Sequence, residues 1–209
     1  MAAPTLLHLD ASARVHGSES RKLTATFVAT WQQQHPQAQV MYRDLGQQPV
    51  PHLDDTWVAA YEAEPEARTP EMQAAIALSD QLIDELMAAD RYVLGVPMYN
   101  LTLPATLKAY IDQVVRRDRI LKFDPQGRPQ GQLQGKKLLV ITTRKFDYRP
   151  GSGREDRDFL EPYLRDIFTL LGIQDLTFLH ADRLAATAPT PEQSLATVTT
   201  ALDTLAQTW

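Results

Sequence analysis

The chain has 209 residues, 44% hydrophobic and 22% charged, enough for one substantial core and short for two. Its net charge of −5 argues against a general nucleic-acid surface, which needs a clustered basic face, and the absence of cysteine excludes a disulfide, a thiolate zinc site and a cysteine nucleophile. Met1–Ala2–Ala3–Pro4 has no basic leader and no window approaches about 18 apolar residues, so a single cytoplasmic domain spanning 1–209, with no membrane segment, is expected.

Short β-rich runs alternate with longer helical patterns along the chain. Thr5–Ala11 reads as a first strand, and Lys22–Gln34 as a helix with Leu23, Phe27 and Trp31 on one face. Gln39–Arg43 follows as a second strand. From Pro49 to Pro70 four prolines limit any helix to a short piece around Thr56–Ala63. Trp57 and Tyr61, four apart on that piece, suit either core packing or the cover of a partner subunit. Pro70 is placed to start a long helix reaching Ala88. Tyr92–Val96 is a strand, Pro97–Leu103 a polar-aromatic loop, and Pro104–Arg116 a helix. Arg119–Gly135, with three glycines and two prolines, reads as a long excursion, for which a hairpin is one form. Lys137–Thr142 is the clearest buried strand. Asp158–Leu171 is helical and stops at Gly172, Asp175–His180 is a fifth strand, and Pro191–Gln207 closes the chain as a helix. Five strands alternating with about five helices imply an α/β fold, a doubly wound five-stranded parallel sheet with helices on both faces.

Three loops at carboxyl ends of strands are candidates for chemistry. The first, Asp10–Arg21, lacks both the three glycines of a dinucleotide fingerprint and the Gly-Lys-Ser/Thr of a P-loop. It offers Ser12, Ser18 and Ser20 at a helix start, where free N–H groups and the helix dipole favour an anion such as a phosphate monoester. Ser18 as a plain helix cap is the equally weighted alternative. The second loop, Pro97–Met98–Tyr99–Asn100, presents an aromatic surface and an amide, suited to a flat heteroaromatic ring. The third, Thr143–Arg144–Lys145–Phe146, follows the strongest strand. In a sheet ordered 2-1-3-4-5 these loops share one crevice at the switch point. The five histidines show no metal-ligand spacing, and no Gly-x-Ser-x-Gly nucleophile elbow exists.

These residues carry a resemblance. Ser12 through Ser18–Glu19–Ser20–Arg21, Pro97–Met98–Tyr99–Asn100 and Pro104–Ala105–Thr106–Leu107–Lys108 with Ile111–Asp112 resemble the flavodoxin-like FMN-dependent NADH-azoreductase and NAD(P)H:quinone oxidoreductase family, over nearly the whole chain. The resemblance implies FMN held by its phosphate at Ser12 and Ser18–Glu19–Ser20. Pro97, Met98, Tyr99, Asn100 and Leu101 would line the isoalloxazine, with Thr143, Arg144, Lys145 and Phe146 beside it. It further implies a homodimer, NADH or NADPH as donor, a quinone or azo acceptor, and ping-pong hydride transfer through flavin N5. The sequence departs from the family where Leu101 replaces phenylalanine, where Thr143–Arg144–Lys145–Phe146 replaces Ser-Arg-Gly-Gly, and where Arg119–Ile120–Leu121 replaces Gly-Thr-Phe. Two rival readings are a flavodoxin-type electron carrier and a binding or regulatory protein with little turnover.

Overall fold

The computed structural model describes residues 3–117, 119–187 and 189–209, so the leader reading at Met1–Ala2 lies outside the described residues. In chain order the elements are β1 (Thr5–Asp10), α1 (Glu19–Gln34), β2 (Gln39–Asp44), α2 (Asp55–Glu62), α3 (Pro70–Ala88) and β3 (Arg91–Pro97). They continue with α4 (Ala105–Val114), β4 (Leu121–Phe123), β5 (Pro129–Gly131), β6 (Lys137–Thr143), α5 (Glu161–Leu170), β7 (Asp175–Ala181) and α6 (Pro191–Ala206). Five strands form one sheet in the order β2-β1-β3-β6-β7, each neighbouring pair parallel. This is the expected 2-1-3-4-5 order, counted without the antiparallel β4–β5 hairpin that fills the 119–135 excursion.

The alternation of side chains along the central strands explains why helices cover both faces. Leu7 and Leu9 of β1, Tyr92, Leu94 and Val96 of β3, and Leu138 and Val140 of β6 enter one cluster, closed by Leu82, Ile83 and Leu86 of α3, Leu107 of α4 and Leu164 of α5. Their neighbours Leu6, Val93, Leu139 and Ile141 point the other way, against Leu23, Phe27 and Trp31 of α1 and Val198 and Leu202 of α6. A strand whose successive residues are all apolar is therefore buried on both sides. Each such Leu or Val contributes roughly 1.5–3 kcal/mol relative to an exposed one.

Helix starts follow the punctuation in the sequence. Asp54 accepts from the Trp57 amide at α2, and Thr69 from the Met72 amide at α3, with Pro70 in the first turn. At α6, Thr190 and Gln193 form a reciprocal capping box. The end of α5 is set by Gly172, whose φ of +105° reverses the chain.

Some boundaries differ from expectation, each for a physical reason. The helix expected from Asp158 begins at Glu161, because the Asp158 carboxylate accepts from the Leu160 and Glu161 amides and so acts as a cap before the helix. Helix α1 opens three residues earlier than expected, at Glu19. Pro104 stands just outside α4 as its cap residue rather than in its first turn. Pro97 still pairs, opposite Thr143, as the last residue of β3. Trp57 is buried with Ala60 and Ile76 and stacks on Tyr61, with ring centroids 5.5 Å apart, so its side chain packs inward.

Candidate functional site

The parallel register brings the carboxyl ends of β1, β3 and β6 together. Asp10 lies opposite Gly95, and Pro97 opposite Thr143. The loops that follow enclose a cavity of about 430 Å³ lined by Ser12, Arg14, Gly17, Ser18, Glu19, Pro97, Met98, Tyr99, Thr143, Arg144, Lys145, Leu184 and Ala185. Ligands of open α/β sheets bind in such a crevice.

On one wall is the start of α1. Ser18 holds the cap position, yet its side chain caps nothing; its hydroxyl lies 3.2 Å from that of Ser20. Both serines are buried, as is Ser12, whose Oγ accepts from the Arg14 amide. The first-turn amides of a helix have no intrahelical acceptor. With the dipole behind them they form a place for an anion. Ser20 is not among the cavity-lining residues and reaches the wall through its bond to Ser18.

The second loop holds an unusual backbone. Asn100 and Leu101 have φ of 48° and 73°, and the turn is closed by two reciprocal bonds, Tyr99 N–H to Thr102 C=O at 2.9 Å and Thr102 N–H to Tyr99 C=O at 3.0 Å. The Leu101 carbonyl accepts from the Phe159 amide, which fastens this loop to the approach of α5. Met98 N–H donates to the Thr143 carbonyl, joining the second and third loops. Tyr99 lines the first cavity and also a neighbouring cleft of about 830 Å³, built with Asn100, Leu103, Phe159, Pro162 and Tyr163. Leu101 and Phe146 line neither of these two cavities.

The cations divide into two sets. Arg144 is buried and donates through Nε and Nη2 to Asp182 and through Nη1 to Asp158, so its guanidinium serves the loop architecture. Arg21 is likewise bound to Asp44, whose carboxyl is held below its ordinary range: burial opposes this, but the Arg21 hydrogen bond and the amides of Gln47 and Gly46 outweigh it. Arg14 and Lys145 are exposed at the cavity and form no ion pair among the described residues. Phe146, 41% exposed, turns outward, with the Arg154 guanidinium 4.6 Å over its ring. Among the described residues no cluster of three metal-ligating side chains occurs.

Of the residues singled out from sequence, Ser12, Ser18, Glu19, Pro97, Met98, Tyr99, Thr143, Arg144 and Lys145 meet around the first cavity, and Asn100 lies in the adjoining cleft. Sequence reasoning missed Arg14 and Gly17, which position in the serine loop could have suggested. It also missed Leu184 and Ala185, whose backbone N–H groups donate hydrogen bonds to the Arg144 and Lys145 carbonyls, for which no local pattern exists.

Residues 4–206 match the model of a family described as having a flavodoxin-like fold. FMN-dependent NADH:quinone oxidoreductase 2 of Trichormus variabilis is 47% identical over 204 residues, 98% of this chain and 99% of that protein. The chain belongs to the flavodoxin-like family of FMN-dependent NADH:quinone oxidoreductases. A second relative in this family, the FMN-dependent NADH:quinone oxidoreductase of Nostoc punctiforme, is 49% identical over 179 residues, 86% of this chain and 87% of its own. The crystal structure of an azoreductase from Bacillus anthracis str. Sterne superposes with a TM-score of 0.90 at 23% identity, covering 99% of this chain and all of that one, and shares its fold.

The residues present fit the cofactor named for this family. A phosphate suits the uncapped, serine-lined start of α1, and a flat ring suits the wall of Pro97, Met98, Tyr99, Leu184 and Ala185.

Proposed function

We propose that the protein is an FMN-dependent NAD(P)H oxidoreductase that reduces quinones and azo compounds, with NADH or NADPH as donor, acting as a single domain within a cytoplasmic homodimer. The observation that carries this reading is an α1 start left uncapped by its own Ser18, in one cavity with the Pro97–Tyr99 wall.

The residues divide the work. Ser12, Ser18 and Ser20, with the amides of the first helical turn, hold the phosphate; Glu19 takes part through its amide, since its carboxylate would repel an anion. Arg14 and Lys145 bring positive charge to the cavity wall. Pro97, Met98 and Tyr99 hold the ring on one side, with Thr143, Arg144, Lys145, Leu184 and Ala185 beside it; Asn100 faces the adjoining cleft, and Leu101 and Phe146, expected at the ring, stand outside both cavities. FMN, when bound, supplies the hydride chemistry, and the protein supplies orientation and electrostatics. The mostly apolar cleft beyond Tyr99, lined by Leu103, Phe159, Pro162 and Tyr163, suits a flat acceptor. A mobile electron carrier has no use for such a cleft, and this favours an enzyme over the carrier reading.

Titrating apo-protein with FMN while following flavin fluorescence should give one FMN per chain, and the loaded protein should oxidise NADH with a quinone and no partner protein. An unchanged flavin signal at micromolar concentrations refutes the reading. FMN binding without oxidation of either NADH or NADPH returns the assignment to the carrier.

A further inference from the structure

Arg21 sits in the first turn of α1, but its side chain runs back beneath the serine loop and is 13% exposed. All five guanidinium N–H groups find acceptors. Nε donates to the Arg14 carbonyl at 2.9 Å, and Nη2 to the Ser12 carbonyl at 2.7 Å and Asp44 Oδ1 at 2.6 Å. Nη1 donates to Asp44 Oδ2 at 2.5 Å and to the Tyr42 hydroxyl at 3.2 Å. Asp44 is fixed in turn by the amides of Gly46 and Gln47, both at 3.0 Å.

We propose that Arg21 is a positioning residue for the anion-binding loop, setting the geometry of residues 12–18 by clamping the Ser12 and Arg14 carbonyls to Asp44 at the end of β2. This rests on the reading of that loop as the FMN phosphate site. Asp44 alone could satisfy one edge of the guanidinium. Of the three remaining donors, one reaches the Tyr42 hydroxyl and two reach carbonyls of the loop that lines the cavity, and only a planar five-donor fork can serve all of them at once. A peptide is planar and trans, so holding its C=O also fixes the direction of the following N–H. The Ser12–Ala13 and Arg14–Val15 planes are thereby set before any ligand arrives.

Gly46 supports the same clamp from the other side. A Cβ placed there would lie 2.0 Å from the Ser12 carbonyl oxygen and 2.8 Å from Arg21 Nη2. The backbone after β2 thus approaches the loop as closely as glycine alone permits.

The test compares R21A, R21K and G46A with the unmodified protein by fluorescence titration with FMN and, separately, riboflavin, with thermal melting of each apo-protein to verify folding. R21A and G46A should bind FMN about tenfold more weakly, the loss of roughly one phosphate hydrogen bond, while riboflavin affinity stays within about twofold. R21K should follow R21A, because an ammonium keeps the charge and loses the fork. Recovery of FMN affinity in R21K would assign the effect to charge and overturn the proposal, as would equal losses for both ligands or unchanged FMN binding in G46A. Should R21A fail to fold, R21K and G46A decide the matter. Failure of the unmodified protein to bind FMN would refute the phosphate-site reading and the clamp with it, whereas normal binding by it with unaffected variants would refute the clamp alone.

Discussion

Two helix starts in this protein carry hydroxyl residues at the same position and use them in opposite ways. At α6, Thr190 and Gln193 exchange hydrogen bonds, and the helix end is closed by its own side chains. At α1, Ser18 caps nothing and faces a cavity. The sequence rule for caps cannot tell these apart, because both residues satisfy it. What separates them is whether the polar groups are consumed by the fold or left for something else. Cations divide likewise: Arg144 is buried between two carboxylates, whereas Arg14 and Lys145 stand at the cavity without an ionic partner among the described residues.

The largest effect should come from a consumed group. Arg144→Ala leaves Asp182 and Asp158 without their shared cation, and loss of one partner of a buried pair costs about 3–5 kcal/mol. Urea unfolding measures this, and a loss below about 1 kcal/mol would place Arg144 among the open groups. Replacing Ser18 and Ser20 together with alanine probes the other side of the division. FMN should bind more weakly, by about 1.5–3 kcal/mol in all, since Ser18 alone of the two lines the cavity and Ser20 acts through it, and riboflavin much less. Equal losses for the two ligands would make these serines structural after all. The smallest effect belongs to Thr190→Ala, which should lower stability by about 1 kcal/mol and leave flavin affinity untouched. If flavin binding moved with it, the two helix starts would not be independent and the contrast would fail.

The architecture was legible where local chemistry decides it. Lys137–Thr143 is apolar on both faces because it is central in a parallel sheet, and Pro70 with Thr69 before it marks α3 to the residue. The serine loop and the Pro97–Met98–Tyr99 wall were also readable, since residue type and position in the strand–loop–helix order suffice. What escaped depends on partners distant in sequence. The sequence pattern allows Asp158 as the first residue of a helix. In the fold it caps the next turn and pairs with Arg144, fourteen residues earlier. Arg144 is legible as part of the third loop, but that its guanidinium is held by Asp182 and Asp158 is not, because both partners are distant in sequence. Leu184 and Ala185 reach the cavity through backbone bonds to the third loop, a relation that no spacing rule contains.

The closed turn at Tyr99–Thr102 has an entropic consequence. Left-handed backbone at Asn100 and Leu101 is disfavoured for residues with side chains, by about 1–2 kcal/mol each, and the two reciprocal bonds hold it there without a ligand. The conformational freedom of this segment is therefore surrendered when the chain folds, not when a flavin arrives. A ring docking against Tyr99 as proposed would lose its own motion but need not freeze this turn, so more of the contact energy would survive as affinity.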